Sequence, residues 1–196
     1  MSISQQLRLD NKIAIITGAS KGIGKAIARA LGQQGAKIVI ASRKQEAVED
    51  TANEFLAEGI EAIGIVVHMG DMVQVKNLAD QTIKHFGGID IIVNNAATNP
   101  SFGPILESEN SQFDKIMEVN VKGPLALCKL AYPAIKQRGS GSIINISSIE
   151  GITPGLGLGL YSVSKAALIA LTKVLAKEWG PDNIRANVIC PGLVKT

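Results

Sequence analysis

A tyrosine, a lysine and a serine in this chain are spaced for proton transfer. Tyr161 and Lys165 lie four residues apart in the segment YSVSK, so a helix would place both side chains on one face. A phenol is a weak acid near pH 7 because its reference pKa is about 10, and a neighbouring ammonium group lowers that value. Ser148 lies 13 residues before Tyr161, where its hydroxyl could hold a substrate oxygen. Together these residues predict a site that moves a proton to or from a carbonyl/alcohol pair.

The N-terminal part of the chain carries the pattern of a dinucleotide site. An apolar run, KIAIIT at 12–17, leads into TGASKGIG at 17–24, and AIARALGQQG follows with apolar residues at helical spacing. Glycines between a strand and a helix let the backbone approach a diphosphate, which the positive end of the helix attracts. The spacing G-x-x-x-G-x-G differs from the commonest dinucleotide fingerprint, so an ordinary glycine-rich turn stays open as the alternative.

The residues after the second predicted strand favour NADP(H) over NAD(H). An acidic residue there would accept a hydrogen bond from the ribose 2′-hydroxyl, whereas a cation suits a 2′-phosphate. The sequence IVIASRKQE has no acid at the end of the strand and continues with Ser42 and Arg43, and Lys21 adds a cation in the glycine-rich turn. Because arginine pairs well with phosphate, we predict that Lys21 and Arg43, assisted by Ser42, bind the 2′-phosphate. Two solvated surface cations are the alternative.

Composition and charge exclude several classes of function. The net charge of +3 is too small to indicate a nucleic-acid partner, and no basic run is present. Hydrophobic residues make up 46% and charged residues 19% of the chain, as in globular α/β proteins. Cys128 and Cys190 are far apart and indicate thiols in a reducing compartment. His68 and His85 have no matching ligand set, so we expect no metal site.

The expected location is cytoplasmic, without a membrane partner. No stretch reaches the roughly 20 apolar residues that span a bilayer, and the N-terminal MSISQQLRLDNK lacks the apolar core of a signal sequence. A peroxisomal location stays open, because a targeting tripeptide would follow residue 196 in a longer chain.

Alternating strands and helices are predicted to position the chemical residues. Strands are predicted at 12–17, 37–42, 61–67, 89–93, 142–147 and 185–190, and helices at 22–34, 44–58, 71–86, 108–137 and 161–179. Strands rich in Ile, Val and Ala with little alternation indicate burial on both faces, so the pattern predicts an α/β fold with a doubly wound parallel sheet. No repeat or linker interrupts it, and we expect one domain over 1–196. The glycine-rich loop at 151–160 is predicted to line the site; a flexible connector is the alternative.

From about Leu9 to its last residue the chain resembles the short-chain dehydrogenase/reductase family. The matching motifs are TGASKGIG (17–24), NNAA (94–97), EVNVKG with Asn120, ISS (146–148), YSVSK (161–165) and PGLVKT (191–196). IASRKQEAVE and PGLVKT look most like the NADP-dependent carbonyl and retinal reductases. The resemblance implies a Rossmann fold, an NADP(H) cofactor, and reduction of a ketone, aldehyde or quinone to an alcohol. It also implies lid helices and a seventh strand after PGLVKT, so we expect a native protein that continues beyond this chain.

The same resemblance implies roles for the catalytic residues. Tyr161 gives a proton to the carbonyl oxygen, and Ser148 orients that oxygen. Lys165 holds the nicotinamide ribose and lowers the pKa of Tyr161, while Asn120 positions a water that links Lys165 to solvent. Ser147 competes with Ser148 for its role, and the 13-residue spacing to Tyr161 favours Ser148.

Cofactor contacts are implied along much of the chain. His68 and Met69 stand at the expected adenine site, where many family members have Asp-Val, and Asn94 is expected to brace the sheet. Asp71 is predicted to cap the helix that follows it. The predicted cofactor-binding set is Gly18, Ser20, Lys21, Gly22, Ile23, Gly24, Ser42, Arg43, His68, Met69, Asn95, Ala96, Ala97, Tyr161, Lys165, Pro191, Gly192, Val194 and Thr196.

Two other functions and an assembly state complete the expectations. A non-catalytic dinucleotide-sensing module would be expected to lose the Tyr/Lys pair, which this chain keeps. A 3-oxoacyl-[acyl carrier protein] reductase needs a basic docking surface, to which Lys136 and Arg138 could contribute, although a solvated helix end is the simpler explanation. Apolar residues such as Leu171 and Val174 lie on more than one helix face, so we expect a helix-to-helix contact in a homodimer or homotetramer.

Overall fold

One six-stranded parallel sheet organises the computed structural model, which describes residues 7–195. The spatial order of the strands is β3-β2-β1-β4-β5-β6. Their bounds are β1 Ile13–Thr17, β2 Lys37–Ser42, β3 Ala62–Val66, β4 Ile91–Asn94, β5 Gly141–Ile146 and β6 Ile184–Ile189. The direction of winding reverses between β1 and β4, and in sheets of this kind the crevice at that reversal is where ligands bind.

Helices cover both faces of this sheet. They are α1 Gly22–Gln33, α2 Gln45–Ala57, α3 Met72–Phe86, α4 Asn110–Met117, α5 Gly123–Gln137 and α6 Gly159–Trp179. The predicted doubly wound α/β fold is therefore confirmed. Asp71 caps α3 as predicted, because its carboxylate accepts hydrogen bonds from the amides of Val73 at 2.9 Å and Gln74 at 3.1 Å.

Each face of the sheet has its own apolar core. Ile16 packs with α1 and α2 on one face, and its neighbour Ile15 packs with α3, α5 and α6 on the other. Successive strand residues point to opposite faces, so a strand covered on both sides must be apolar throughout. This explains why all five residues of β1 are buried.

The helix predicted at 108–137 is wrong as one continuous α-helix. A π-helical segment, Glu118–Lys122, separates α4 from α5. Its wider turns take an additional residue into the backbone ladder without interrupting the helical path. The other predicted strands and helices agree with the structure to within two residues at each end.

Helix α6 is long and apolar enough to span a membrane by length and composition, contrary to the expectation that no segment would be. An 18-residue window within Gly159–Asp182 has a mean hydropathy of 1.3. However, α6 packs on β5 and β6, and several of its polar side chains are buried in the fold, among them Ser164, Lys165 and Thr172. These contacts make α6 an integral part of the α/β layer structure, which accounts for its apolar composition.

Candidate active site

Tyr161 and Lys165 share one face of α6, beside the carboxyl end of β5. The Lys165 Nζ atom lies 5.5 Å from the centre of the Tyr161 ring and donates a hydrogen bond to the Ile146 carbonyl oxygen at 2.8 Å. Ser148 follows β5 directly, and its hydroxyl accepts a hydrogen bond from the Glu150 amide at 3.1 Å. The structure thus brings the three predicted residues into one site.

The two serines after β5 have different surroundings. Ser147 is buried, and its hydroxyl donates to the Lys165 carbonyl oxygen at 2.8 Å. Ser148 is partly exposed, and its hydroxyl opposes the rise that burial causes in the pKa of Tyr161. Gly151 lets the same turn touch α6, because a Cβ atom at Gly151 would lie 2.7 Å from the Lys165 carbonyl carbon. These surroundings support the prediction that Ser148, rather than Ser147, faces the reacting atoms.

The pKa of Tyr161 is raised in this structure, contrary to the expectation that Lys165 lowers it. Burial disfavours the phenolate and is the largest cause; the Ser148 hydroxyl opposes the rise, and the Glu150 carboxylate adds to it. The Lys165 ammonium group lies over the ring and donates to Ile146 instead of to the phenol. A raised pKa keeps the phenol protonated near neutral pH but makes it a weaker acid, so proton transfer from Tyr161 needs a group that favours the phenolate when the reactants are bound.

Burial also perturbs Lys165, lowering its pKa to about 8 while the neighbouring Cys190 opposes the shift. Desolvation disfavours the ammonium form, and the hydrogen bond to the Ile146 carbonyl oxygen does not compensate for the lost water. A hydrogen-bond acceptor or an anion that reached Lys165 would restore the charged form. The lysine is thus suited to hold a polar ligand group.

The π-helical segment fixes Asn120 between three elements. Its side-chain Oδ1 accepts from the Thr98 amide at 2.8 Å, and Nδ2 donates to the Thr98 carbonyl and to Ser164 Oγ, each at 3.0 Å. Asn120 therefore ties the loop after β4 to α6. Such segments occur frequently at functional sites. The role of Asn120 in positioning a water stays a prediction.

The glycine-rich turn between β1 and α1 is shaped by close backbone approaches. Gly18 has φ +66°, and a Cβ atom at Gly24 would collide with the Gly18 carbonyl oxygen and lie 2.5 Å from Asn95 Nδ2. Lys21 precedes α1 without capping it through its side chain, so first-turn amides remain available to an anion. The turn is therefore a cradle that suits a diphosphate.

Two serines bring the predicted 2′-phosphate residues to one corner. The hydroxyls of Ser20 and Ser42 lie 3.0 Å apart in a hydrogen bond that joins the turn to the end of β2. Lys21 and Arg43 are the next residues in sequence, and both are exposed. Within residues 7–195 neither cation forms an ion pair. Both are therefore available to a phosphate at this corner.

The NNAA segment braces the turn from the β4 side. Asn95 Nδ2 donates to the carbonyl oxygens of Thr17 at 2.9 Å and Gly18 at 3.2 Å. The amides of Asn95 and Ala96 both donate to Thr17 Oγ1 at 3.0 Å. Asn94 donates to Asn145 Oδ1 at 2.8 Å and so braces β4 against β5, as expected. Thr17 was missed by the sequence analysis, because nothing in its local sequence indicates a partner 78 residues away.

Of the two residues predicted at the adenine site, only His68 is exposed enough for a ligand to contact its side chain. Met69 is 3% exposed, and its backbone lies against Gly123, where a Cβ atom would collide with the Met69 carbonyl oxygen. His68 is half-buried, with Nδ1 accepting from the Gly70 amide at 3.2 Å. His68 is therefore the better placed of the pair.

The turn after β6 lies beside the turn that carries Ser148. The Ile149 amide donates to the Pro191 carbonyl oxygen at 3.0 Å. Gly192 and Val194 follow on the exposed side. Thr196, predicted to hold the nicotinamide carboxamide, lies outside the described residues.

A cleft of about 290 Å³ opens next to the first turn of α6. It lies between residues 100–108 and residues 157–160, with Gln112 at its edge. Phe102 and Ile105 on its rim are 79% and 62% exposed. Polar side chains of Ser101, Glu107, Ser108 and Gln112 also line it, so a group with polar and apolar parts could bind there, and Leu160 at its edge precedes Tyr161 directly.

Comparison with known proteins gives one consistent result. A sequence model of the family described as short chain dehydrogenase matches residues 12–196. Human dehydrogenase/reductase SDR family member 4 is 44% identical over 188 residues, which cover 96% of this chain and 68% of the human protein. Tropinone reductase-like 3 from Erythroxylum coca is 46% identical over 189 residues, covering 96% of this chain and 72% of that protein.

Solved structures agree with the sequence comparison. L-sorbose reductase from Gluconobacter frateurii, complexed with NADPH and L-sorbose, superposes with a TM-score of 0.93 at 34% identity, covering 95% of this chain and 71% of that one. Gluconate 5-dehydrogenase from Burkholderia cenocepacia, in complex with NADP and tartrate, gives a TM-score of 0.94 at 33% identity and covers 100% of this chain and 76% of that one.

Proposed function

Because this chain belongs to the short-chain dehydrogenase/reductase family, we propose that it is an NADPH-dependent reductase that converts the carbonyl group of a ketone, aldehyde or quinone to an alcohol. Family membership alone makes it an NAD(P)-dependent oxidoreductase. The proposal adds the choice of NADPH and of a carbonyl substrate. The observation that carries it is the cluster of Ser148, Tyr161 and Lys165 next to the cleft at the first turn of α6.

The described residues fit a bound dinucleotide. The turn at Gly18 to Gly24 would hold the diphosphate against α1, and Lys165 would hold the nicotinamide ribose. Bound NADPH would supply the hydride that reduces the carbonyl carbon. The role of the protein is to bind and orient the two reactants and to supply a proton.

Proton transfer falls to Tyr161. Ser148 donates a hydrogen bond to the carbonyl oxygen and draws electron density towards it. Tyr161 then transfers its phenolic proton to that oxygen, so the phenol O–H bond breaks as the alcohol O–H bond forms. Solvent then returns a proton to the Tyr161 phenolate.

The choice of NADPH over NADH rests on Lys21 and Arg43. Both cations are exposed and adjoin the hydrogen-bonded pair Ser20 and Ser42. An additional phosphate at that corner would meet two positive charges, whereas a ribose hydroxyl would find no carboxylate acceptor in IVIASRKQE. The L-sorbose reductase and gluconate 5-dehydrogenase structures, which contain NADPH and NADP, support the same choice.

The structure does not support the alternative function of a 3-oxoacyl-[acyl carrier protein] reductase. Lys136 Nζ lies 2.9 Å from Asp182 Oδ1, and Arg138 Nη2 lies 3.0 Å from Asp90 Oδ2. The cations that could have formed a basic docking surface are thus engaged within the chain. Nothing favours that substrate over a small carbonyl compound.

We propose in addition that the protein is a cytoplasmic homodimer or homotetramer. Val163 and Val174, on the outer face of α6, are 45% and 46% exposed. Burial of this face between two copies would remove apolar surface from water.

The proposal is tested by following NADPH oxidation with a panel of ketones, aldehydes, quinones and acyl thioesters. Tyr161→Phe keeps the ring and removes the acid, so turnover should fall by about 10²–10⁴-fold while NADPH affinity changes little. The matched control is Tyr132→Phe, since Tyr132 is the only other tyrosine. Near-native turnover of Tyr161→Phe would overturn the mechanism, and NADPH binding without turnover of any carbonyl would favour the sensing module.

A further inference from the structure

Glu150 lies two residues after Ser148, and its carboxylate accepts hydrogen bonds from other residues of the chain. Its Oε2 atom accepts from the Gly155 amide at 2.7 Å and from Ser162 Oγ at 3.2 Å. Within residues 7–195 it forms no ion pair. One oxygen atom therefore joins the glycine-rich loop, residues 151–158, to the first turn of α6.

This loop supports a second loop at the cleft. The Gly103 amide donates to the Gly157 carbonyl oxygen at 3.0 Å. Phe102 packs on Gly157, where a Cβ atom would lie 3.0 Å from the ring. Glu150 holds the glycine-rich loop at Gly155. Through Gly157, the same loop contacts the apolar residues of the opposite rim. We call residues 100–105 and 155–158 together the cleft wall.

We propose that Glu150 is a positioning residue that fastens the cleft wall to α6, so that a carbonyl bound in the cleft meets Tyr161 and Ser148. The inference rests on the proposed function, because it concerns how the same site receives its substrate. Loops with few hydrogen bonds to the fold open at low free-energy cost. Without Glu150, Gly155 loses its link to the Ser162 side chain, and the wall is held to the start of α6 by the backbone hydrogen bond from the Ser162 amide to the Leu158 carbonyl oxygen at 2.8 Å.

The charge of Glu150 has a separate effect from its hydrogen bonds. The carboxylate contributes to the raised pKa of Tyr161. Among residues 7–195, Lys165 lies over the Tyr161 ring, and Cys190, after β6, neighbours Lys165. Removal of the negative charge therefore lowers the pKa of Tyr161. Since reduction needs the protonated phenol, the loss of activity at high pH should then begin at a lower pH.

Glutamine separates the two effects. Both hydrogen bonds end on Oε2, so the amide oxygen of a glutamine can accept both while the charge is absent. Glu150→Gln should keep the cleft wall and alter only the pH profile. Glu150→Ala loses the hydrogen bonds and the charge together.

The test combines steady-state kinetics with hydrogen exchange of peptides from 151–158. Glu150→Ala should raise KM by about tenfold or more, as expected for loss of hydrogen bonds to a charged group, and should speed amide exchange at Gly155. Glu150→Gln should keep KM within about twofold and keep native exchange, with the alkaline limb of kcat/KM moved to lower pH. Glu178→Ala, a change of an exposed acid at the far end of α6, is the control and should alter none of these.

Each failure identifies the step that is wrong. Unchanged KM and unchanged exchange in Glu150→Ala would overturn the positioning role even though the wild type reduces carbonyls. If Glu150→Gln raised KM as much as Glu150→Ala, charge rather than attachment of the wall would be responsible, and the proposal would be wrong. If the wild type reduced no carbonyl, the proposed function would fail, while the exchange rate at Gly155 would still decide whether Glu150 fastens the loop.

Discussion

Replacement of Lys21 and Arg43 by alanine should remove most of the preference for NADPH. The two residues flank the hydrogen-bonded Ser20 and Ser42, so the turn and the strand end that carry them should stay joined in the variant. Both side chains are exposed and within residues 7–195 form no ion pair. The double substitution therefore changes charge with little expected effect on packing.

The size of the effect follows from the exposure of both cations. Hydrogen bonds to charged groups contribute about 1.5–3 kcal/mol, and exposed ion pairs contribute at most about 1 kcal/mol. We take about 1–1.5 kcal/mol for each cation, or about 2–3 kcal/mol together. Because about 1.4 kcal/mol is a factor of ten, NADPH affinity should fall by about 30–150-fold.

Titration calorimetry with NADPH and NADH measures both sides of this prediction. NADH affinity should change by less than about threefold, since no 2′-phosphate is present to lose its partners. Lys44→Ala is the matched control, because Lys44 is an exposed cation next to Arg43 with no assigned contact. Equal affinity of the wild type for NADH and NADPH, or equal losses for the two cofactors in the double variant, would refute the reasoning.

Three further predictions follow from single side chains. Lys165→Met should remove a pH-dependent part of the stability: the pKa of about 8 lies below the usual 10.5, so the unfolded state binds more protons between these values. The free energy of unfolding of the wild type, minus that of the variant, should therefore rise from about pH 8 to pH 10.5 in denaturant titrations. A fall over this interval would contradict the lowered pKa of Lys165. Gly24→Ala should weaken NADPH binding by at least about tenfold in calorimetry, because a new Cβ collides with the Gly18 carbonyl oxygen, whereas Gly180→Ala, with no atom within 4 Å of its Cβ position, should not. Val174→Asp should dissociate the proposed oligomer in analytical ultracentrifugation, and an unchanged assembly would place the interface elsewhere.

The strands and the catalytic cluster could be predicted because their signals are local. A strand such as β1 is covered on both faces, and its unbroken apolar run marks it in the sequence. Tyr161 and Lys165 are four residues apart on one helix, so their shared face follows from helical geometry alone. Asp71 likewise caps the helix that begins at the next residue.

Long-range contacts account for what the sequence could not show. The lowered pKa expected for Tyr161 assumed that the Lys165 ammonium faces the phenol, but the ammonium donates to Ile146, and burial prevails. The contacts of Thr17 with the residues after β4, and of Glu150 with Gly155, depend on how separate turns meet. Residue type and spacing do not indicate which distant turns will be in contact in the folded chain.

The π-helical segment Glu118–Lys122 limits which insertions and deletions this protein can accept. A segment of this kind is what a single-codon insertion into a continuous helix would produce. Deletion of one codon here would be absorbed by a change from π-helical to α-helical turns, which leaves α4 against α6 and α5 against α3. Each residue rotates an α-helix by about 100°, so the same change would turn the side chain of Asn120 away from Thr98 and Ser164. The additional residue is therefore needed for the position of Asn120 rather than for the packing of the two helices.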